Sequence, residues 1–189
     1  MKRIGVDLDE VSFGFISKFF EFHNANYETS LRREDCWTFS LHEVFGCSKE
    51  EMDRRMQEFY KTQQFRDIAP MPGAVEGMDF LNRNQVESFI VTARSLDLKD
   101  YTIERIAAFF PEKFRGIYFA PHGVRSKVMY CRNLHLDYML EDNLDYAKEC
   151  RHRTPVLLFD SPWNQTRHLP NRIIRVKGWE EACNIIGSK

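Results

Sequence analysis

Two pairs of carboxylates stand at the ends of apolar runs of the sequence, where they could hold a cation or move protons. Asp7 and Asp9 follow the first run, and Glu141 and Asp142 follow a later one. Because residues i and i+2 of an extended chain point to the same face, Asp7 and Asp9 can converge on one point. Carboxylate oxygens bind hard cations, and paired carboxylates also serve as acid and base. For Asp7 and Asp9 alone, helix capping or a solvated turn would also explain the pattern.

A hydroxyl group and an ammonium group accompany the carboxylates. Thr92 ends another apolar run, and the backbone N–H groups that follow it, from Ala93 onward, can line an anion site. Lys127 stands near the start of a predicted helix, the end at which the helix dipole disfavours a cation. Alone, Thr92 would be interpreted as a helix cap and Lys127 as an exposed lysine. Together with the carboxylates they predict a hard-cation site beside a phosphate site.

Six short apolar runs predict the strands that would position these side chains. Several are continuous rather than alternating, as in strands that are buried on both faces of a sheet. Strands that alternate with helices predict an α/β fold, a Rossmann-like parallel sheet with helices on both faces, which binds its ligands at the carboxyl ends of the strands. The predicted strands are 4–6, 88–91, 116–119, 138–140, 156–159 and 173–176, and the predicted helices between them are 74–81, 98–110, 124–134 and 179–186.

Residues 13–69 interrupt this alternation. They contain helical patterns at 13–22 and 48–65, and the second begins with a capping-box arrangement of Ser48 and Glu51. No convincing central strand lies between the two patterns. The sequence therefore predicts a core domain of residues 1–12 and 70–189, with a small helical cap of residues 13–69 inserted after the first strand.

Composition and charge restrict the function classes. The 189 residues include 27 basic and 28 acidic side chains, and this balance argues against a nucleic-acid-binding surface. No apolar run approaches the ~20 residues of a membrane-spanning helix, and the N-terminal residues lack the apolar stretch of a signal peptide. Five cysteines without a C-x-x-C pair are expected to be reduced thiols. We therefore expect a cytoplasmic protein that binds neither nucleic acid nor membrane.

The ordered motifs resemble those of the haloacid dehalogenase (HAD) superfamily. The four matching motifs are Asp7-Leu8-Asp9-Glu10-Val11, Thr92, Lys127 and Glu141-Asp142, and the resemblance covers essentially the whole chain, including the cap. Within the superfamily the chain is similar to the 5′(3′)-deoxyribonucleotidases, through Phe65, the segments 69–74 and 161–164, Arg175-Val176 and Trp179. It departs from the common pattern at Glu10, which replaces a glycine, at Glu141, which replaces an aspartate, and at Gly14, where these nucleotidases tend to carry an aspartate.

The resemblance implies a phosphomonoesterase that depends on Mg²⁺. Asp7 would attack phosphorus and form an aspartyl-phosphate, and Asp9 would protonate the leaving group and then activate water. Asp7, the main-chain oxygen of Asp9 and Asp142 would hold the metal, with Glu141 in support.

The same resemblance assigns the phosphate and substrate sites. Thr92, Ala93 and Lys127 would bind the phosphoryl oxygens. Nine of the 16 phenylalanines fall between residues 13 and 65, and most are predicted to be core. Phe15 and Phe65 match positions at which flat side chains could stack on a nucleobase. Arg94 would meet a second anion at the mouth of the pocket, or would be an exposed arginine.

These assignments imply a 5′-nucleotidase for (deoxy)nucleoside monophosphates, with a homodimer suggested by the resemblance. A proton donor at Asp9 favours phosphate esters over haloacids, because chloride leaves without a proton and an alkoxide does not. The alternatives are a phosphatase for another small phosphomonoester such as a sugar phosphate, a phospho-switch receiver domain, and a non-catalytic binding protein of the same fold. In a receiver domain the threonine and lysine follow the phosphoacceptor aspartate and no helical insertion occurs, so the order of motifs argues against that class.

Overall fold

The sheet contains six parallel strands, and the first strand of the chain lies near its centre. The computed structural model describes residues 1–121 and 126–188. The strands are β1 (Arg3–Val6), β2 (Glu87–Thr92), β3 (Gly116–Phe119), β4 (Tyr138–Glu141), β5 (Val156–Phe159) and β6 (Ile173–Val176). Their order across the sheet is β3-β2-β1-β4-β5-β6, and neighbouring strands are parallel. The predicted α/β fold is confirmed, and all six predicted strands form.

Helices pack on both faces of the sheet, as continuous apolar strands require. Alternate residues of the central strands divide between two apolar clusters: Leu140 and Leu157 join one, and Met139 and Leu158 join the other. The helices are α1 (Phe15–Asn26), α2 (Leu41–Val44), α3 (Lys49–Phe59), α4 (Gln63–Arg66), α5 (Ala74–Arg83), α6 (Lys99–Phe109), α7 (Lys127–Asn133), α8 (Leu144–Cys150) and α9 (Trp179–Gly187).

The observed helices differ in part from the predicted ones. The pattern at 48–65 is not one helix: it divides into α3 and α4, because the Thr62 hydroxyl accepts the N–H of Phe65 and starts a new helix. The short helices α2 and α8 were not predicted. The start predicted at residue 124 lies outside the described residues. Within the described part of the chain, no helix combines the length and the apolar character needed to cross a membrane.

Residues 13–69 form helices α1 to α4, and the two ends of this segment lie side by side. Phe13 makes an isolated antiparallel bridge with Pro70, and the N–H of Gly14 donates to the carbonyl of Ala69 at 3.0 Å. A segment that leaves and returns at one point can be a cap on the sheet, which supports our division at 12/13 and 69/70 as a proposal.

Aromatic packing accounts for the phenylalanine-rich composition of this segment. Phe19 and Phe59 are fully buried and meet edge to face at 5.3 Å between ring centroids. Phe22 also contacts Phe59, at 5.4 Å. Aromatic pairs of this kind add stability beyond the area they bury. Phe13 reaches out of the segment to Phe110 of the core, at 5.5 Å, so the apolar cluster continues under the sheet.

Candidate active site

The carboxyl ends of β1, β2 and β4 bring the sequence motifs to one edge of the sheet. β1 pairs with β2 on one side and with β4 on the other. The N–H of Asp7 donates to the carbonyl of Leu140 at 3.0 Å, so the β1–β4 ladder continues by one residue. Asp7 therefore lies beside Glu141, and Thr92 ends the neighbouring strand on the other side.

Lys127 lies between two of these carboxylates. Its ammonium is 2.8 Å from a carboxylate oxygen of Asp7 and 2.8 Å from one of Glu141. Only 1% of the side chain is exposed, so Lys127 is not a surface lysine. It is the first residue of α7, which begins where the Ser126 hydroxyl accepts the N–H of Val128. The helix start thus places the ammonium under the carboxyl ends of the strands.

Burial and charge act on the site in opposite directions. Burial and the charge of Glu141 together raise the pKa of Asp7 to about 8, although Lys127 opposes the rise. Burial also raises the pKa of Asp142 well above its ordinary value. For Lys127, burial lowers the pKa, but the carboxylates of Asp7 and Glu141 outweigh burial and raise it. The carboxylates therefore keep Lys127 charged, while the site as a whole favours an additional cation.

Backbone N–H groups hold the Glu141 carboxylate, and side chains beyond the motifs hold Asp142. Glu141 Oε1 accepts the backbone N–H groups of Asp142 and Asn143, at 3.2 and 3.1 Å. The indole N–H of Trp163 donates to Asp142 Oδ2 at 2.8 Å, and the side-chain amide of Asn164 donates to the Asp142 carbonyl at 2.7 Å. The sequence linked the 161–164 segment to the nucleotidases by resemblance only; the structure shows what two of its residues contact.

The carboxylate cluster fits a hard divalent cation. Asp7, Glu141 and Asp142 are buried, and each offers a carboxylate oxygen within 4.8 Å of the others. Asp7 Oδ1 is buried and pairs with the Lys127 ammonium at 2.8 Å, and no other group of the described residues donates to it. Three carboxylates and one ammonium group leave a formal charge of −2, which an ion such as Mg²⁺ would balance. The main-chain oxygen of Asp9 as a further ligand stays a prediction.

Thr92 and Ala93 line the cavity above this cluster. The Thr92 hydroxyl accepts the N–H of Arg94 at 3.2 Å, so its own proton is available to a ligand. Their role as phosphate ligands stays a prediction.

The surroundings of Arg94 differ from those expected. It is neither an exposed arginine nor open to a second anion at the pocket mouth, because its side chain is only 5% exposed and its guanidinium binds Asp9. Nε donates to Asp9 Oδ2 at 2.9 Å and Nη2 donates to Oδ1 at 2.6 Å. The two residues stand 85 positions apart, and no local pattern indicated the pair.

The motifs open into one cavity of about 850 Å³ between the sheet edge and helices α1 and α3. Asp7, Asp9 and Asp142 line its base, and Phe15, Met56 and Tyr60 line the side formed by residues 13–69. A cavity of this size accommodates a drug-sized molecule. Phe15 is partly exposed there, as its assignment to substrate requires.

Phe65 does not line this cavity, contrary to the expectation that it stacks on substrate. It is 2% exposed and stacks on Tyr101 of α6 at 4.3 Å between ring centroids. The Tyr101 hydroxyl donates to the Phe65 carbonyl at 2.6 Å. Phe65 therefore attaches the helical segment to the core.

The sequence did not indicate Arg33, which binds the carboxylate of Glu10. Glu10 has a φ of 60°, a left-handed conformation that explains why glycine is common there. Its carboxylate is buried, accepts the N–H of Ile16 at 2.7 Å and binds Arg33 Nε at 3.0 Å. The Arg33 guanidinium also lies 4.8 Å from the Trp163 ring centroid. The departure at Glu10 was visible in the sequence, but its partner was not.

Sequence comparison places the chain among known nucleotidases. A family model described as "5' nucleotidase, deoxy (Pyrimidine), cytosolic type C protein" matches residues 1–189. YqfW of Bacillus subtilis is 27% identical, over 96% of this chain and 92% of that protein. Nucleotidase CA_C3379 of Clostridium acetobutylicum is 27% identical, over 86% of this chain and 82% of that protein.

Solved structures share the fold. The haloacid dehalogenase-like hydrolase SP0104 of Streptococcus pneumoniae superposes with a TM-score of 0.70, at 15% identity, over 98% of each chain. A HAD-superfamily hydrolase of Geobacter sulfurreducens superposes with a TM-score of 0.63, at 15% identity, over 99% of this chain and 97% of that one. The predicted resemblance to HAD phosphatases is confirmed.

Proposed function

From the premise that the chain belongs to the cytosolic type C family of deoxypyrimidine 5′-nucleotidases, we propose that it hydrolyses (deoxy)nucleoside monophosphates through an aspartyl-phosphate, with Mg²⁺ as cofactor. Family membership makes the chain a phosphatase, a hydrolase of phosphoric monoesters. The substrate, the intermediate, the metal and the residue roles are the proposal. One observation supports it most: a buried Asp7–Lys127–Glu141 ion-pair network opens, beside Asp142, into the large cavity.

In the first step an oxygen of Asp7 attacks phosphorus. A bond forms between that oxygen and phosphorus, the ester P–O bond breaks, and Asp9 gives a proton to the leaving alkoxide. Lys127 and the Thr92 hydroxyl stabilise the negative charge on the phosphoryl oxygens. The contact of Lys127 with Asp7 also holds the nucleophile in one orientation.

In the second step water attacks the phosphoryl group on Asp7. Asp9, now ionised, takes a proton from that water, the Asp7–phosphorus bond breaks, and inorganic phosphate leaves. Asp9 thus returns to its starting state, and no other reactant is needed.

The metal would be held by Asp7 and Asp142, with Glu141 in support. When bound, Mg²⁺ offsets the charge of the phosphate and lets an anionic nucleophile approach it. The three buried carboxylates, whose oxygens lie within 4.8 Å of one another, together with the formal charge of −2 support this ligand set.

The substrate class rests on the cavity and on Phe15. A nucleobase could stack on this partly exposed ring while the phosphate reaches the sheet edge. All five cysteines are free thiols, which suits the expected cytoplasmic location. The homodimer stays a prediction.

Phosphate release from a panel of nucleoside and deoxynucleoside 5′- and 3′-monophosphates and sugar phosphates tests the proposal. We expect Mg²⁺-dependent release from nucleotides, loss of activity in EDTA, and trapping of a phosphoryl group on wild type but not on Asp7→Asn. Preference for sugar phosphates would contradict the substrate class. Full activity in Asp7→Asn would contradict the mechanism.

A further inference from the structure

Arg94 holds both oxygens of the Asp9 carboxylate in a fork of two hydrogen bonds, 2.9 and 2.6 Å long. A bidentate pair fixes orientation as well as distance. We propose that Arg94 is a positioning residue that aims the Asp9 carboxylate at the ester oxygen and at the attacking water. This inference rests on the proposed phosphatase mechanism and adds a residue to it.

Arg94 is itself held rigidly. Its Nη1 donates to the hydroxyl of Thr102, a fully buried residue of α6, at 3.1 Å. Its backbone N–H donates to Thr92 at 3.2 Å. Each of its three guanidinium nitrogens donates to a protein atom, so the group is suited to hold a neighbour rather than to capture a ligand.

Asp9 has the opposite character. It follows β1 in a loop, and 31% of its side chain is exposed to the cavity. Within the described residues, only Arg94 hydrogen-bonds to its carboxylate. Each carboxylate oxygen has two lone-pair positions, so the fork leaves one free on each, where Asp9 can carry the proton for the leaving alkoxide and later take one from water. Without Arg94 this side chain would be free to choose among rotamers.

The proposal predicts selective damage, because Arg94 acts only through Asp9. Transfer of a phosphoryl group from an alkyl ester such as a nucleotide needs a proton on the departing oxygen. An activated aryl ester, p-nitrophenyl phosphate, releases a stable phenolate without one. A general structural role for Arg94 would lower both activities together.

The experiment compares kcat/KM for a nucleoside monophosphate with kcat/KM for p-nitrophenyl phosphate. For each substrate, kcat/KM reports the steps up to transfer of the phosphoryl group to Asp7. In Arg94→Met, kcat/KM for the nucleotide should fall roughly 10- to 100-fold, while that for the aryl ester should change by less than about threefold. Arg94→Lys keeps the charge but has no fork, and should show the same split. Adding Arg94→Met to Asp9→Asn should cause no further loss for the nucleotide.

A second readout follows the later step. Because Asp9 also activates water, both Arg94 variants should show a burst of p-nitrophenol followed by slow turnover. Arg105→Met is the matched control: Arg105 donates to the Ile68 carbonyl at 2.7 Å and lies over the Phe109 ring, away from Asp9. It should alter the ratio of the two activities little, and thermal melting of every variant shows that each is folded.

The outcomes are separable. Equal losses on the two esters in Arg94→Lys, or no loss in either Arg94 variant, would overturn the positioning role. A wild-type protein that hydrolyses neither ester with Mg²⁺ would instead overturn the proposed function, and the positioning role with it.

Discussion

Replacement of Lys127 by methionine tests the charge balance of the site. The substitution keeps an unbranched stem of similar length and removes the ammonium between Asp7 and Glu141. Removing one partner of a buried ion pair costs about 3–5 kcal/mol, because the other charge is left buried and unpaired. In a chain of this size 1 kcal/mol lowers Tm by roughly 2–4 °C, so the metal-free variant should melt roughly 6–20 °C below wild type.

The same variant should respond more strongly to Mg²⁺. Loss of the ammonium changes the formal charge of the cluster from −2 to −3, which favours a divalent cation. A ligand at 100 times its Kd stabilises a protein by about 2.7 kcal/mol, and tighter binding increases this gain. Turnover at saturating Mg²⁺ should nevertheless be lost, because the phosphoryl oxygens lose a cation that they would contact.

Melting curves in EDTA and across a Mg²⁺ titration measure both effects. Lys148→Met is the control, because its ammonium binds Asp145 at 3.0 Å on the surface and is 48% exposed. An exposed pair contributes little, so that variant should stay within about 1 kcal/mol of wild type. If Lys127→Met melts with wild type in EDTA, or gains less from Mg²⁺ than wild type does, the electrostatic reasoning is wrong.

Four further substitutions and one pH titration test the site. Asp7→Asn should abolish phosphate release at saturating Mg²⁺, measured under conditions where the variant is folded. Burial and the charge of Glu141 raise the pKa of Asp7 to about 8, so the free energy of unfolding of the metal-free protein, measured in urea titrations, should fall as pH rises from 6.5 to 8. His23, whose pKa burial lowers to about 4, affects this free energy only below that pH range. Bound Mg²⁺ should remove the dependence on pH. Trp163→Phe should raise the Mg²⁺ concentration for half-maximal activity, because a metal-site carboxylate loses its N–H donor. Phe15→Ala should lower kcat/KM about tenfold for nucleotides but not for p-nitrophenyl phosphate, whereas Phe65→Ala should cost about 3–5 kcal/mol of stability, measured by denaturation.

The strands and the acidic motifs were predictable because parallel topology leaves little choice. Continuous apolar runs must be buried on both faces, and their carboxyl ends meet at one edge. Asp7, Thr92 and Glu141 therefore had to lie close together once the runs were recognised as neighbouring strands. Lys127 was predictable only through motif order, because its spacing alone also fitted a surface helix. The burial of its side chain depends on the packing of α7 against the sheet, which no short window of sequence shows.

The phenylalanines show what helical periodicity does not predict. Helical spacing says that Phe15 and Phe65 share an apolar surface with their neighbours, but that surface has both a cavity side and a core side. The choice is made by the partner: Tyr101, on a helix of the core, stacks on Phe65, while Phe15 remains partly exposed beside Tyr60. A sequence pattern records which residues are apolar, and not which distant ring covers them.

Two arginine–carboxylate pairs, Arg94 with Asp9 and Arg33 with Glu10, also depend on contacts that a sequence pattern does not show. Asp9 and Glu10 are adjacent carboxylates after β1, and both are bound by arginines far along the chain: Arg94 from the core and Arg33 from the helical segment. Adjacent charges left unpaired would repel each other, and a carboxylate as buried as that of Glu10 would be costly without a partner. Each arginine therefore offsets the charge of its carboxylate, but the two carboxylates have different surroundings. Glu10 borders the cavity but is only 3% exposed, and its carboxylate joins the β1 loop to α1 and to Arg33, whereas Asp9 is 31% exposed and keeps free acceptor positions. Opposite outcomes for neighbouring residues of one charge arise from tertiary partners alone, and for that reason acid–base roles need geometry as well as motifs.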